Sequence, residues 1–333
     1  MTCFDDNVTV STTYGWDASR AAFDAVMLFL VMVTNASILG VVARRWCTEG
    51  MPLGNVTSSL LVVNLSAADF LVGFLGVFHF LPRYLCDLEQ VLARHRNLCI
   101  LRFALVLTAH LGSGYTLIAI AADRYVAVCH ALHYRDWITP RRSLALIAGI
   151  WVVALSGAML LFAWNTFDKV GNRCSEDTVL PLAYTLFVGV FGQVVILGTI
   201  TWAHWAVHRI VLQLRSRGGN SNEAHGGVFA QGEERVSTRA SRVLALILGV
   251  YVASWAPFMI VLIVRTCKVH VPPTVMETAS SIVNFNYLVN PFIYAYNNRP
   301  IQKAIHKCVR SFKRKTWFES WNEPSHSLSL SNK

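Results

Sequence analysis

The sequence predicts an all-α membrane protein: a seven-transmembrane helix bundle with a short amphipathic eighth helix. Three observations carry that expectation. Seven apolar runs are each long enough to cross a bilayer core, which takes roughly 20 helical residues. The 333 residues are 54% hydrophobic and only 14% charged, where a soluble domain carries about 25% charged residues. The basic residues are unevenly shared between alternate ends of the runs. With the amino terminus outside, about 20 of the 29 Lys and Arg fall on the cytoplasmic side, as the positive-inside rule requires.

The elements follow in order. Residues 1–20 are polar and acidic, with neither a basic n-region nor an h-region. They read as an extracellular amino terminus, and the first span reads as its own insertion signal. Asn7-Val8-Thr9 is a glycosylation sequon on the outer side. Sequons at Asn35, Asn55 and Asn64 fall within spans or at their inner edge and are discounted. Residues 21–297 form the membrane domain, with spans at 21–42, 58–80, 100–128, 144–162, 180–207, 243–264 and 275–296. The segment 215–234 is Gly- and Asn-rich and reads as a flexible cytoplasmic linker. In 298–313, Ile301, Ile305, Cys308, Val309 and Phe312 recur at helical spacing opposite Lys and Arg. That is a basic amphipathic helix for the inner leaflet, so membrane lipid is an expected partner. Cys308 lies on its apolar face, either palmitoylated or simply buried. Residues 314–333 read as a disordered, Ser-rich cytoplasmic tail.

Cysteines sort by side. Cys99 and Cys174 lie outside, where disulfides persist, together with Cys3, Cys86 and Cys267, and the odd number leaves their pairing open. Cys47, Cys129 and Cys308 lie on the cytoplasmic side. No metal-ligand spacing and no Ser/His/Asp constellation is readable, so no enzyme is expected. The basic residues flank spans rather than forming a patch with aromatics, which argues against nucleic acid.

Polar residues within the spans carry the functional signal. Asp123-Arg124-Tyr125 ends the third span. Each charge would cost on the order of 2.5–3.5 kcal/mol at the bilayer centre, but near one end it meets water or a partner protein. Asn35 and Asp69 lie within the first two spans, and Asn284, Asn286 and Asn290 in the seventh. Ser113 lies ten residues before Asp123, about 15 Å away along the helix. Ser113, Asn286 and Asn290 can offer oxygens around Asp69. An ionised Asp69 then suits a small hard cation with water; a protonated Asp69 in a structural network is the other reading. Pro257 after Trp255, and Pro291 after Asn290, kink the sixth and seventh spans. Kinks beside a buried polar cluster make a two-state element.

These landmarks, in order and on successive spans, resemble the rhodopsin-like (class A) G protein-coupled receptors from Ala21 to Phe312. They are Asn35, the Asn64–Asp69 segment, Cys99 with Asp123-Arg124-Tyr125, Trp151, Trp255 with Pro257, and Asn290-Pro291 with Tyr294. The resemblance implies a Cys99–Cys174 disulfide pinning the second extracellular loop. It implies that Arg124 meets a heterotrimeric G protein when the sixth helix swings out, with Asp123 restraining it at rest. Trp255 would be the toggle beneath the ligand pocket, and Tyr294 would swing inward. Asp69, Ser113, Asn286 and Asn290 match the family's sodium site, which tips the balance to an allosteric sodium ion; no other cofactor is expected. Arrestin and a receptor kinase are further partners that the family implies, and the plasma membrane is the implied location. The chain departs from the family at Ser254, at Tyr251 where Phe is usual, in the missing mid-span Pro of the fifth helix, and at Ser237. There an acid often pairs with the Arg, so raised basal activity is an expectation.

For the ligand, Phe103, Val106, Leu107 and His110 face the implied pocket. Val106 stands where aminergic receptors carry Asp, and Asn284 where opsins carry the retinal Lys, so neither ligand class is expected. With Asp24, His79, Phe258, Ser280 and Asn284, the pocket is largely apolar and suits a small neutral or weakly polar extracellular ligand. Each His could equally be a satisfied bundle residue, and Asp24 either reaches the outer interface or pairs with His79. Segments 117–125 and 290–296 look like adenosine- and amine-receptor sequence. Two rival readings stand beside the receptor. A transporter or channel would need a polar path through the bilayer, whereas these polar residues form a cluster and stop. A receptor-fold partner without signalling of its own, or a constitutively active receptor, is the other.

Overall fold

The computed structural model describes residues 13–49, 56–167, 174–218, 227–267 and 269–297, with residues 302 and 310. Seven long helices succeed one another, and no strand occurs among the described residues. The first four are Thr13–Glu49, Val56–Phe80, Arg96–Cys129 and Pro140–Ala163. The fifth joins Leu182–Tyr184, a π-helical stretch Thr185–Phe191, and Gly192–Gly218. The sixth and seventh are Gly227–Thr266 and Pro273–Asn297, with Pro257 and Pro291 inside them. The expected amphipathic helix at 298–313 lies outside the described residues except at 302 and 310, as do Asn7, Cys308 and the tail.

The first six helices each contain a stretch long and apolar enough to cross a membrane. The seventh has the same 25 residues as the second. Its Asn284, Asn286 and Asn290 are at most 4% exposed, so its polarity faces other helices and not lipid. The first and sixth helices, 37 and 40 residues long, overrun the spans at 21–42 and 243–264. Apolarity marks only the part of a helix within lipid; a helix that continues into water leaves no hydropathy signal.

The third helix is the hub, packing on the second, fourth, fifth and sixth, while the first closes the ring against the second and the seventh. Burial is inverted relative to a soluble protein. Val152, Phe187 and Ile260 are more than 60% exposed, whereas Asn35, Asp69, Ser113 and Thr116 are fully buried. Lipid solvates the apolar surface, and the polar groups must find partners inside. Asn35 donates to the backbone oxygen of Tyr287 at 3.1 Å, tying the first helix to the seventh. Trp151 donates to Asn64 at 2.9 Å, and Asn64 to Thr116 at 2.7 Å, tying the fourth, second and third. Gly112 lets the Trp151 ring approach: a Cβ there would lie 3.2 Å from it.

Candidate functional site

At the end of the bundle where the third helix begins, a disulfide joins Cys99 to Cys174, with Cα atoms 5.7 Å apart. Two charged side chains hold the same loop residue. The Cys174 N–H donates to Glu89 at 3.0 Å, and Arg102 donates to the Cys174 oxygen at 2.8 Å. Glu89 belongs to a short helix, Cys86–Arg94, between the second and third membrane helices. Cys267 is free and exposed, so it takes no part in a disulfide here.

Beneath this loop lies a cavity of about 200 Å³. His79, Phe103, Val106, Leu107, His110, Phe258, Ser280 and Asn284 all line it. Asp24 does not, which corrects its placement in the pocket. Its carboxylate accepts from Ser281 at 2.7 Å and Tyr84 at 3.3 Å, with Arg20 at 3.9 Å. The first helix thus spends Asp24 on docking to the seventh helix and to the turn that follows the second. Tyr184, Glu176, Gln193 and Trp255 also line the cavity. Of these, Glu176 and Gln193 carried no sequence signal, because a short helix after Cys174 and the α-helix just past the π-helical stretch place them.

His110 sits deep in the cavity, edge-on to Trp255 at 6.3 Å and to Tyr287 at 5.2 Å between ring centroids. Its Nδ1 stands 2.7 Å from the Val106 oxygen. A carbonyl only accepts, so Nδ1 carries the proton, and in the neutral ring Nε2 is left as an acceptor. Asn284 Nδ2 and Trp255 Nε1 are buried and find no acceptor among the described residues. The deep end of the cavity therefore combines apolar walls with unmet hydrogen-bonding capacity.

One layer further in, Asp69 is fully buried and accepts from Ser113 at 2.5 Å and from Asn290 at 2.9 Å. No cationic side chain pairs with it among the described residues. Asn286 is 2% exposed, one helical turn before Asn290, and is not among Asp69's hydrogen-bond partners. A carboxylate at this depth needs a counter-charge or a proton. Carboxylate, hydroxyl and amide oxygens are the hard donors that an alkali cation takes, so the residues present fit a sodium ion.

At the opposite end of the bundle, Arg124 Nη2 lies 2.6 Å from Asp123 Oδ2. Arg124 also donates to Ser58 at 2.5 Å, and Ser58 to Asp123 at 3.0 Å. Tyr134, in the loop after the third helix, donates to Asp123 Oδ1 at 2.7 Å. Burial first, and then the Asp123 charge, push the Tyr134 phenol up to about 12. Ser58 and Tyr134 were not evident in the sequence, since only the packing of the second helix and the loop brings them to Asp123. The Ser237 side chain lies outside the described residues; among those described, no acid on the sixth helix reaches Arg124. Tyr125 packs against Trp202 at 4.8 Å. Tyr294 is 5% exposed, and its hydroxyl has no partner among the described residues.

The family model described as "7 transmembrane receptor (rhodopsin family)" matches residues 50–294. The chain belongs to that family, the rhodopsin-like G protein-coupled receptors, whose members are multi-pass plasma-membrane receptors and not enzymes. It is similar to adenosine receptor A2a of Equus caballus, 30% identical over 282 residues, covering 78% of this chain and 65% of that one. It is similar also to adenosine receptor A2b of Homo sapiens, 25% identical over 327 residues, covering 89% of this chain and 91% of that one. G-protein coupled receptor 6 of Homo sapiens is 29% identical over 259 residues, covering 74% of this chain and 64% of that one. The chain thus spans just under two thirds of the length of the horse protein and of the human receptor 6.

Proposed function

We propose that this chain binds a small extracellular ligand in the cavity below Cys174 and activates a heterotrimeric G protein through Arg124. One observation carries the reading: the sixth helix bears both Trp255 on the cavity wall and the cytoplasmic end beside the third helix, where Arg124 waits in an ion pair with Asp123. Closure of Trp255 on an occupant can thus be felt at the Arg124 end, with Pro257 as the kink about which the sixth helix moves. The ligand is small, as about 200 Å³ requires, and neutral or weakly polar, since no carboxylate stands at Val106. The names of the A2a and A2b relatives make nucleosides the first class to test.

The amino terminus lies outside, and an allosteric sodium ion sits between Asp69, Ser113 and Asn290, stabilising the resting form by supplying the missing charge. Arrestin and a receptor kinase act on the cytoplasmic face. Cells expressing the chain, screened with nucleosides, neutral lipids and amines and read by a panel of G protein reporters, test the ligand. Arg124→Ala abolishes nucleotide exchange and leaves surface expression unchanged; normal exchange from that variant overturns the coupling role.

A further inference from the structure

The fifth and sixth helices are joined at mid-membrane by a hydrogen bond that the family resemblance does not supply. The Tyr251 hydroxyl donates to Gln193 Oε1. Tyr251 is 2% exposed, and its ring stacks on Trp255 at 5.9 Å with 26° between the planes. Gln193 belongs at the same time to the cavity wall. Two local features bring it there. The π-helical stretch ends at Phe191, just ahead of it, and a wide turn rotates what lies beyond it. Gly114 then lets the fifth helix come close to the third, since a Cβ there would lie 2.7 Å from Ile196 Cδ1. Gln193 lies three residues before Ile196 and so on nearly the same side of the helix, from which its side chain reaches Tyr251 on the sixth.

We infer that the Gln193–Tyr251 hydrogen bond is a latch that holds the sixth helix in its resting position, and that Gln193 is the point at which a cavity occupant opens it. This rests on the receptor reading above and goes beyond it by naming the restraint. Outward movement of the sixth helix carries Tyr251 away from Gln193, and a buried phenol hydroxyl without a partner opposes that movement. The amide is one rigid plane, so an occupant that draws Gln193 into the cavity takes its carbonyl from Tyr251. The latch also compensates for Arg124, which has no acid to meet on the sixth helix among the described residues. Gln193 and Tyr251 are positioning residues, acting through Trp255 and the sixth helix.

The test uses the full chain in lipid nanodiscs, with spin labels at R141C and R242C, two exposed positions on the fourth and sixth helices, and the other reactive cysteines replaced by Ser. Tyr251→Phe removes one hydroxyl and keeps the ring. Without ligand it shifts the label distances toward the long, open population. It also raises basal nucleotide exchange about threefold to tenfold, the scale of losing one buried hydrogen bond. Gln193→Ala does the same, and the double variant matches either single one, because both break a single bond. Distances in Tyr251→Phe identical to those of the parent overturn the latch, as does a double variant whose shift is the sum of the two. If no variant, and not the parent either, promotes exchange on any G protein, the coupling reading fails while the distances still decide the latch.

Discussion

Tyr134 and Arg124 hold opposite oxygens of one carboxylate: Tyr134 donates to Asp123 Oδ1 at 2.7 Å, and Arg124 to Oδ2 at 2.6 Å. Ser58 closes the triangle on the Arg124 side. The resting Arg is therefore held by a cluster drawn from the second helix, the third helix and the loop that follows it. Asp123 needs both neighbours, since at 3% exposure it has little water to fall back on.

Loosening that cluster should raise activity without ligand. We predict that Tyr134→Phe and Ser58→Ala each cost the resting state about 1 kcal/mol, or roughly a fivefold rise in basal nucleotide exchange. Unchanged basal exchange in both would mean that Asp123 alone restrains Arg124.

The Tyr134 contribution also has a pH signature. Its folded value, about 12, lies above the ordinary phenol value of 10.0. The protonated donor is thus favoured in the fold; its contribution is whole below about 10 and is lost only as pH rises through about 12. The ratio of basal exchange between Tyr134→Phe and the parent should stay constant from about pH 6 to pH 9. A ratio that collapses within that window would show that the phenol is not the group at work.

Asp69 predicts an ion effect. The melting temperature of the purified receptor should be higher in sodium chloride than in choline chloride, and Asp69→Asn should erase the difference. A sodium response retained by Asp69→Asn would place the ion elsewhere.

The loop at Cys174 is tied three times, by the disulfide to Cys99, by Glu89 and by Arg102. Glu89→Ala alone should destabilise the loop by about 1.5–3 kcal/mol, the scale of a hydrogen bond to a charged group. In a Cys99→Ser/Cys174→Ser background the same change should cost more, because only the Arg102 hydrogen bond to the backbone oxygen of residue 174 then remains. Limited proteolysis of the loop reads this out, and equal effects in both backgrounds would count against a shared role.

The first and second helices meet at Gly73. A Cβ there would lie 2.8 Å from Met32 Cγ and 3.1 Å from the Leu28 backbone oxygen. Gly73→Val should cost about 1–3 kcal/mol of stability, the usual scale of overpacking. Gly40→Ala, where a Cβ meets nothing within 4 Å, serves as the matched control in thermal melts.

The first six spans were legible because lipid imposes one rule, a run of about 20 apolar residues, and each of them obeys it. The buried asparagines of the seventh helix were legible for the opposite reason, since polar groups in lipid need a purpose. Gln193, Ser58 and Tyr134 were not, because each gains meaning only from a partner on another helix or loop. Asp24 misled for the same reason: its position suggested the pocket, while Ser281 and Tyr84, distant in sequence, take up its oxygens. The π-helical stretch Thr185–Phe191 left nothing in the sequence that located the irregular turn.

That stretch acts as a phase shifter. Below it, Ile196, Ile200, Ala203 and Val207 are all buried and recur at steps of three and four, the undisturbed period of an α-helix. Above it, the one extra residue per π turn rotates the outer end by about 100° relative to that inner stripe. The cavity wall can therefore be re-aimed by lengthening or shortening one turn, while the buried stripe below keeps its register. In such an arrangement, ligand preference can drift between relatives without any repacking of the machinery that reports it.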